Sequence, residues 1–235
     1  MPLCLSREDR VVAVVAHPDD AEILFFGTLR CWVDSGAEVT VVVVTHGVNG
    51  ISLADRSAGM RLDAAERPAE SAASYEGTGI RLECLGLEDG ALRPDRHLVS
   101  AVETVLARLG CTVLLTHAVH DGNDHQDHHA VARAALNAAS RVPTCTTILH
   151  GQPIAPHQSI TPTVLVDITR YLDAKIKALT AHQTQSGRYY LDEPFTRHRA
   201  AAAGWGWLPR QTADDRAFEA LVPSLLLLAA PVELP

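Results

Sequence analysis

The chain has 235 residues, 47% of them hydrophobic and 20% charged, so it is long enough to bury one large core and has a globular composition. Its formal net charge is −8 and basic runs are absent, which argues against nucleic acid or an anionic membrane and leaves a small molecule as the expected partner. Five widely spaced cysteines without a C-x-x-C pair, and an N-terminus without a signal-peptide core, predict a cytoplasmic protein.

Strands and helices are predicted to alternate along the chain. Apolar runs that end at turn residues predict strands at 11–16, 39–45, 80–85, 112–117, 145–150 and 163–167. Helical periodicity predicts helices at 21–35, 55–76, 96–109, 126–140 and 169–184. This alternation predicts one α/β domain over residues 1–235, Rossmann-like, with a mostly parallel sheet and helices on both faces. The late apolar run 225–230 is too short to span a bilayer and predicts a last core strand.

The first strand ends in the most informative motif of the chain, His17-Pro18-Asp19-Asp20. Pro18 disfavours the α region at His17, so we expect extended backbone through the histidine. If Asp19 and Asp20 are also extended, their carboxylates point in opposite directions, and one can bind a metal while the other faces what the metal activates. A dinucleotide site would need a glycine-rich turn at this junction, and the junction has none.

Histidines also follow two later strands. His46 comes directly after strand 39–45, and His117 and His120 lie at or just after the end of strand 112–117. Parallel strands bring their carboxyl ends to one edge of the sheet, where such folds bind ligands. We therefore expect His46 to contact substrate, and the roles of His117 and His120 stay open.

A second histidine motif precedes the helix predicted at 126–140. His125 and His128 are three residues apart near the helix start, so both imidazoles can reach one small volume. A site of His17, Asp20 and His128 has three nitrogen or oxygen ligands and an open fourth position, which is the layout of a catalytic zinc. We expect one Zn²⁺ per chain, although Fe²⁺, Co²⁺ or Ni²⁺ suit the same donors.

The remaining polar groups of the two motifs have predicted catalytic roles. Asp19 is left as a general base for water, and protonated His125 as a donor to the developing oxyanion or the leaving group. Asp127 is expected to orient one of the histidines. An adjacent aspartate pair is more often a helix cap, but the downstream histidines reverse that preference here.

Residues 186–210 predict an irregular, aromatic-rich C-terminal segment. They hold five aromatic side chains, Tyr189, Tyr190, Phe195, Trp205 and Trp207. One interpretation is a lid or platform that covers a sugar or a bulky apolar substrate, with Trp205 in contact with it. The alternative is that these rings attach the segment to the core.

The motifs at 17–22 and 125–128, His-Pro-Asp-Asp-x-Glu and His-x-Asp-His, resemble the PIG-L/LmbE-like family of metal-dependent N-acetylglucosaminyl deacetylases. Further matches follow in order at 44–47, 67–70, 85–90 and 167–185. The resemblance implies the same ligands, base and acid, and adds Arg67 as a substrate contact. Two departures matter: Pro68 is expected to disturb a helix interior beside Arg67, and apolar residues at 24–26 replace glycines and predict an apolar pocket floor.

The resemblance implies a hydrolase that removes the acetyl group from an N-acetylglucosamine unit of a small-molecule glycoside. The apolar floor, the aromatic segment and the arginine- and alanine-rich composition favour an antibiotic intermediate, a glycopeptide pseudoaglycone or an aminoglycoside. A glycoside of mycothiol-type small-thiol biosynthesis is the alternative acceptor. A non-sugar metal amidase and a catalytically silent sugar-binding scaffold stay open, and the sequence does not define the oligomeric state.

Overall fold

A seven-stranded sheet forms the centre of the structure, a computed structural model that describes residues 7–119, 125–154, 161–205, 207–209 and 215–227. The strands are β1 Arg10–Val15, β2 Glu38–Thr45, β3 Arg81–Leu87, β4 Val113–Thr116, β5 Thr147–Gly151, β6 Val164–Asp167 and β7 Phe218–Leu226. The helices are α1 Asp20–Asp34, α2 Leu53–Ser57, α3 Glu66–Ser74, α4 Arg96–Leu109, α5 Gln126–Ala139, α6 Leu172–Leu179 and α7 Glu193–Trp205. Short 3₁₀ helices lie at Thr169–Tyr171, Gln183–Gln185 and Tyr189–Leu191.

The strand order is β3-β2-β1-β4-β5-β7-β6. The first five strands in that order are parallel, and β7 runs antiparallel to both β5 and β6. The predicted, mostly parallel α/β sheet is therefore confirmed. Because the chain moves outward from β1 in one direction through β2 and in the other through β4, the carboxyl ends of β1 and β4 flank the switch point at which such sheets bind ligands.

The valine-rich sequences of β1 and β2 explain why these strands occupy the centre. After its first residue, each strand is buried along its whole length, as expected for parallel strands that are covered on both faces. Alternate residues of β1 contribute to two cores: Val11, Ala13 and Val15 pack on the α1 side, and Val12 and Val14 pack on the α4 and α5 side. Helices therefore cover both faces, as predicted.

The helix predicted at 55–76 is two separate helices, α2 and α3. The residues between them are mostly exposed and not helical, so no buried face holds them in a continuous helix. Pro68 is the third residue of α3, in its first turn, where a backbone N–H has no intrahelical partner to lose. Contrary to expectation, Pro68 therefore leaves the helix and the adjacent Arg67 undisturbed.

The segment at 186–210 is more regular than predicted, because most of it forms α7. Its rings do not share one environment: Tyr189, Trp205 and Trp207 are 56%, 61% and 53% exposed, whereas Tyr190 is half-buried. The last strand, β7, begins earlier than predicted and includes only Leu225 and Leu226 of the run at 225–230. The prediction of a core strand there was wrong, because β7 is buried at its start and exposed at its leucine-rich end. Residues 228–230 lie outside the described part. Among the described residues, no helix is long and apolar enough to cross a membrane.

Candidate active site

The candidate site lies at the carboxyl edge of the sheet. Its walls are the segments that directly follow β1, β2, β3 and β5, together with the start of α5. They enclose a cavity of about 660 Å³, a size typical of small-molecule sites. Arg56, Glu88, Gln185 and Arg188 make much of its wall polar, and Tyr190 supplies an aromatic face.

A strained turn joins β1 to α1 and separates the two aspartates. Asp19 has φ 112°, the one non-glycine residue with positive φ in the described part of the chain, and it precedes the first residue of α1. Asp20 is that first helical residue, and its Oδ2 accepts a hydrogen bond from the backbone N–H of His17 at 2.7 Å. The condition of extended backbone at both aspartates is not met, because a left-handed turn at Asp19 leads directly into α1.

The polar atoms of three buried side chains meet beside this turn. His17 Nδ1 lies 3.0 Å from His128 Nε2 and 3.3 Å from Asp20 Oδ2, and His128 Nε2 lies 3.2 Å from Asp20 Oδ1. Ligands of a tetrahedral zinc at bond lengths of about 2.0–2.1 Å are separated by about 3.3 Å. The three side chains that the sequence predicts as ligands are therefore close enough to share one ion, and their role as ligands stays a prediction.

The charges around these donors favour a cation. Burial raises the pKa of Asp20, but the imidazoles of His128 and His117 outweigh it and hold that pKa well below its usual range. Burial lowers the pKa of His17, but hydrogen bonds to Asp127 and Asp20 outweigh it and raise that pKa well above its ordinary value. A cluster with several charged carboxylates and few fixed positive charges attracts a divalent ion.

Asp127 contacts His17, one of the histidines that the sequence predicts it to orient. Its carboxylate is fully buried, accepts hydrogen bonds from the backbone N–H groups of Gly90 and Leu92 at 2.7 and 3.1 Å, and lies 3.3 Å from His17 Nε2. Burial raises the pKa of Asp127, but these contacts lower it overall. A carboxylate on the far nitrogen of a histidine fixes the tautomer that leaves the near nitrogen for a metal.

Asp89 contacts the same nitrogen of His17 and was missed by sequence reasoning. Its Oδ1 lies 3.2 Å from His17 Nε2, and its Oδ2 accepts a hydrogen bond from the backbone N–H of Asn49 at 2.6 Å. The available signal was its position after β3, at the same edge of the sheet and within the family match at 85–90. Two carboxylates therefore face one imidazole nitrogen.

Asp19 and Arg67 form a buried ion pair at the cavity wall. Arg67 Nη2 lies 3.0 Å from Asp19 Oδ2, and the guanidinium also donates to the backbone oxygens of Gly47 and Pro18 at 2.9 and 2.5 Å. Burial raises the pKa of Asp19 and Arg67 partly offsets the rise, so the net shift is upward. Both side chains line the cavity.

His125 is the exposed residue that precedes α5. Its Nδ1 accepts a hydrogen bond from the backbone N–H of Asp127 at 3.3 Å, which places the ring proton on Nε2. Although the residue is exposed, part of its ring is withdrawn from water, and this partial burial, together with the nearby His17 and His128, lowers the pKa of His125 to about 4. The expectation of a protonated His125 is therefore corrected: the imidazole is neutral near pH 7, and its Nε2–H is the donor that it offers.

His117 lies behind the donor cluster. It is 2% exposed, and its ring stacks on that of His128 with centroids 4.1 Å apart and planes inclined by 12°. Its Nε2 accepts a hydrogen bond from the backbone N–H of Ala16 at 3.0 Å, and burial lowers its pKa to about 4. His117 therefore supports His128 as a neutral ring. His120 lies outside the described residues.

The structure does not bring His46 or Trp205 to the cavity wall. The His46 ring turns towards β3, where its Nε2 lies 3.2 Å from the position that a Cβ at Gly86 would take. Trp205 ends α7, away from the cavity, and is largely exposed. Phe25 and Phe26 are at most 2% exposed and pack in the α1 core, so the expected apolar pocket floor is also corrected.

A parallel α/β sheet with a histidine and aspartate cluster at its switch point defines a protein of the LmbE-like fold class. Residues 12–139, more than half of the chain, match the PIG-L family, described as GlcNAc-PI de-N-acetylase, and the chain belongs to this family. The resemblance seen in the sequence motifs is confirmed.

Two curated relatives cover most of the chain. A probable N-acetyl-α-D-glucosaminyl L-malate deacetylase 2 of Bacillus cereus is 28% identical over 209 residues, which cover 86% of this chain and 94% of that protein. A 1D-myo-inositol 2-acetamido-2-deoxy-α-D-glucopyranoside deacetylase of Saccharopolyspora erythraea is 24% identical, with coverage of 78% and 80%. Both names describe removal of an acetyl group from a glucosamine unit.

Solved structures show the same fold at low identity. The 4-carboxy-2-hydroxymuconate hydratase of Pseudomonas putida has a TM-score of 0.78 at 20% identity, covering 95% of this chain and 99% of that one. The N,N'-diacetylchitobiose deacetylase of Pyrococcus horikoshii has a TM-score of 0.76 at 22% identity, covering 92% of this chain and 84% of that one. The A40926 pseudoaglycone deacetylase has a TM-score of 0.68 at 22% identity, covering 94% of this chain and 98% of that one. A hydratase shares this fold, so the fold alone does not define the reaction.

Proposed function

We propose that this chain is a metal-dependent amide hydrolase that removes the acetyl group from an N-acetylglucosamine unit. The observation that carries the proposal is the convergence of donor atoms of His17, Asp20 and His128 within 3.0–3.3 Å, beside the separate carboxylate of Asp19. Membership of the PIG-L family supports the same reaction.

The three converging side chains hold one metal ion in this proposal. Two imidazoles and one carboxylate favour zinc, although Fe²⁺, Co²⁺ and Ni²⁺ accept the same donors. When bound, the metal supplies a Lewis acid that polarises the amide carbonyl and acidifies water at the site. Asp127 and Asp89 keep the proton of His17 on Nε2, so that Nδ1 presents its lone pair to the ion.

Asp19 is the proposed general base. Arg67 binds its Oδ2, which leaves Oδ1 to take a proton from the attacking water. The upward shift of its pKa brings the proton affinity of Asp19 closer to neutral pH, where a base transfers protons most effectively. When the carbon–nitrogen bond breaks, Asp19 gives this proton to the leaving nitrogen, and the products are acetate and the free amine.

His125 is the proposed donor to the carbonyl oxygen. Negative charge grows on that oxygen as the tetrahedral intermediate forms, and a fixed hydrogen-bond donor there lowers the barrier. The hydrogen bond from the backbone N–H of Asp127 to Nδ1 holds the ring in the tautomer with a proton on Nε2. A neutral imidazole can therefore serve as this donor.

The proposal extends to the group to which the N-acetylglucosamine unit is attached. Arg56, Arg188 and Gln185 at the cavity favour a small polar glycoside, the class to which the substrates named for both curated relatives belong. An antibiotic intermediate is the second candidate, supported by the likeness to the A40926 pseudoaglycone deacetylase and by Tyr190 at the wall. Phe25 is buried in the core and Trp205 lies outside the cavity wall, so neither side chain supports this second candidate.

The proposal is tested by amine release from the zinc-loaded protein. The panel contains N-acetylglucosamine, its inositol and malate glycosides, N-acetylated aminoglycosides and a glycopeptide pseudoaglycone. We expect release from at least one glycoside and, in Asp19→Asn, a loss of turnover by a factor of about 10²–10⁴ with one metal per chain retained. Asp173→Asn, a change at an exposed carboxylate of α6, is the matched control and should keep full activity.

Two results would contradict the assignment. Near-normal turnover of Asp19→Asn would remove Asp19 as the base. Full metal content without amine release from any glycoside, but with release from simple acetamides, would replace the sugar deacetylase by a non-sugar amidase.

A further inference from the structure

A second, smaller cavity lies between α1, α6, α7 and β7, and we call it the inner cavity. Its volume is about 20 Å³, enough for one particle of the size of a water molecule and too small for acetate or phosphate. Tyr190 belongs to the walls of both cavities and separates the inner cavity from the candidate active site. The proposed deacetylation uses none of the other groups that line it.

A buried ion pair forms one side of the inner cavity. Lys175 Nζ donates to Glu219 Oε1 at 2.6 Å and to the backbone oxygen of Ile23 at 2.8 Å. The two Glu219 oxygens also accept hydrogen bonds from the backbone N–H groups of Gly27 and Thr28 at 3.0 and 2.8 Å. Three donors therefore already stabilise this one carboxylate, and its charge is matched by that of Lys175.

Arg199 forms the opposite side and is a second cation. It donates a hydrogen bond to the backbone oxygen of Gln152, while its Nη1 is buried and has no hydrogen-bond partner within the described ranges. Burial lowers the pKa of Arg199 to about 10, so the guanidinium stays protonated at neutral pH. Among the same residues, no carboxylate forms an ion pair with it. Glu219 offsets part of this charge from across the cavity but accepts no hydrogen bond from Arg199, and a buried donor that stays unused is costly.

The contents of the inner cavity must therefore accept a hydrogen bond and balance a positive charge. Among the described residues, the lining holds two cations, Lys175 and Arg199, and one carboxylate, Glu219. A water molecule accepts the hydrogen bond but leaves the charge, whereas a monatomic anion does both within the available volume. We propose that the inner cavity is a binding site for one chloride ion, with Arg199 Nη1 as its principal donor.

This chloride links the C-terminal helix to the rest of the fold. Arg199 lies on α7, whereas Lys175 lies on α6 and Glu219 on β7. An anion between them offsets the repulsion between the two cations, so its binding stabilises the folded chain. The effect of chloride on stability requires no substrate and no metal. The proposed deacetylation and the proposed chloride site are therefore tested independently.

The first test is thermal unfolding of the full chain at constant ionic strength, with sodium chloride replacing sodium gluconate. At a chloride concentration ten times the dissociation constant we expect Tm to rise by about 3–6 °C, then to level off, and bromide to act alike. Arg199→Met, which keeps much of the side-chain volume without the charge, should lose this rise. Arg197→Met, a change at an exposed arginine of the same helix, should retain it.

The second test locates the ion directly. Crystals of the unaltered protein soaked in sodium bromide should show an anomalous peak within hydrogen-bonding distance of Arg199 Nη1, even if Arg199→Met fails to fold. Equal Tm values in chloride and gluconate, together with no anomalous peak, would mean that the inner cavity holds water only. An unchanged chloride dependence in Arg199→Met would place the ion elsewhere.

Discussion

Asp127 offers the sharpest test of how the donor cluster is held. In Asp127→Asn one carboxylate oxygen becomes an NH₂ group, which cannot accept from Gly90 N–H or from His17 Nε2–H. The orientation of His17 then depends on Asp89, whose Oδ1 lies 3.2 Å from the same nitrogen. We expect metal affinity to fall 10–100-fold, the usual cost of losing such a partner, which corresponds to about 1.4–2.8 kcal/mol.

The same substitution has a second, separable cost. Oδ2 accepts the Gly90 N–H at 2.7 Å and Oδ1 accepts the Leu92 N–H at 3.1 Å, in a fully buried setting. Leaving one of these amides unsatisfied costs about 1–3 kcal/mol of folding free energy. The assays are metal competition with a fluorescent chelator and chemical denaturation, each measured on the same preparation.

Asp95→Asn is the matched control. Asp95 also accepts two backbone N–H groups, those of His97 and Leu98, but it lies at the start of α4 and contacts no site histidine. Asparagine is an equally good helix cap, so stability and metal affinity should both stay near the values of the unaltered protein. The two carboxylates share one partner, so the effects of Asp127→Asn and Asp89→Asn should not add, and the double variant completes the test. Metal affinity that is unchanged in both single variants and in the double variant, with only the stability lost, would refute the orienting role.

Two further predictions concern titrating groups. Arg67 lowers the pKa of Asp19, so Arg67→Met should raise that pKa and move the acid limb of the kcat/KM profile to higher pH; a profile that keeps its position contradicts the pairing. Glu22 raises the pKa of His182 in the folded protein. The ion pair therefore contributes its full stability below the pKa of an unfolded histidine, near 6.5, and this stability is lost as pH rises through the higher pKa of the folded state. The lowered pKa of Glu22 removes the contribution as pH falls below about 4.5, so the Tm deficit of His182→Gln should peak between these limits. His97→Gln, at an exposed position, should show no such peak, and a pH-independent deficit in His182→Gln would exclude the ion pair.

The sequence predicted those site residues whose position follows from one strand end or one helix start. His17 and Asp20 follow an unmistakable buried strand, and His128 lies in the first turn of α5, so local pattern and sheet topology together place them. Asp89 escaped because its role depends on the distance to a histidine on another strand, which no local pattern encodes. The resemblance to the family supplied Arg67, whose buried partner Asp19 is equally non-local.

The errors also have physical causes. The region between α2 and α3 has helical composition but no buried face, so propensity was overridden by the lack of packing. The apolar pocket floor was predicted because Phe25 and Phe26 replace glycines of the family, yet α1 turns both rings into the core. Trp205 was assigned by its chemistry alone, and it lies at an exposed helix end outside the wall of the cavity.

The backbone of Asp19 carries a strain that its ion pair helps to offset. A side chain held at φ 112° costs on the order of 1–3 kcal/mol, a strain that glycine does not have. Glycine at this position would relieve the strain but would leave the buried guanidinium of Arg67 without its carboxylate, which costs about 3–5 kcal/mol. Selection for heat resistance alone would therefore have to change both positions together, so the strained turn and the buried arginine are expected to be kept or lost as a pair.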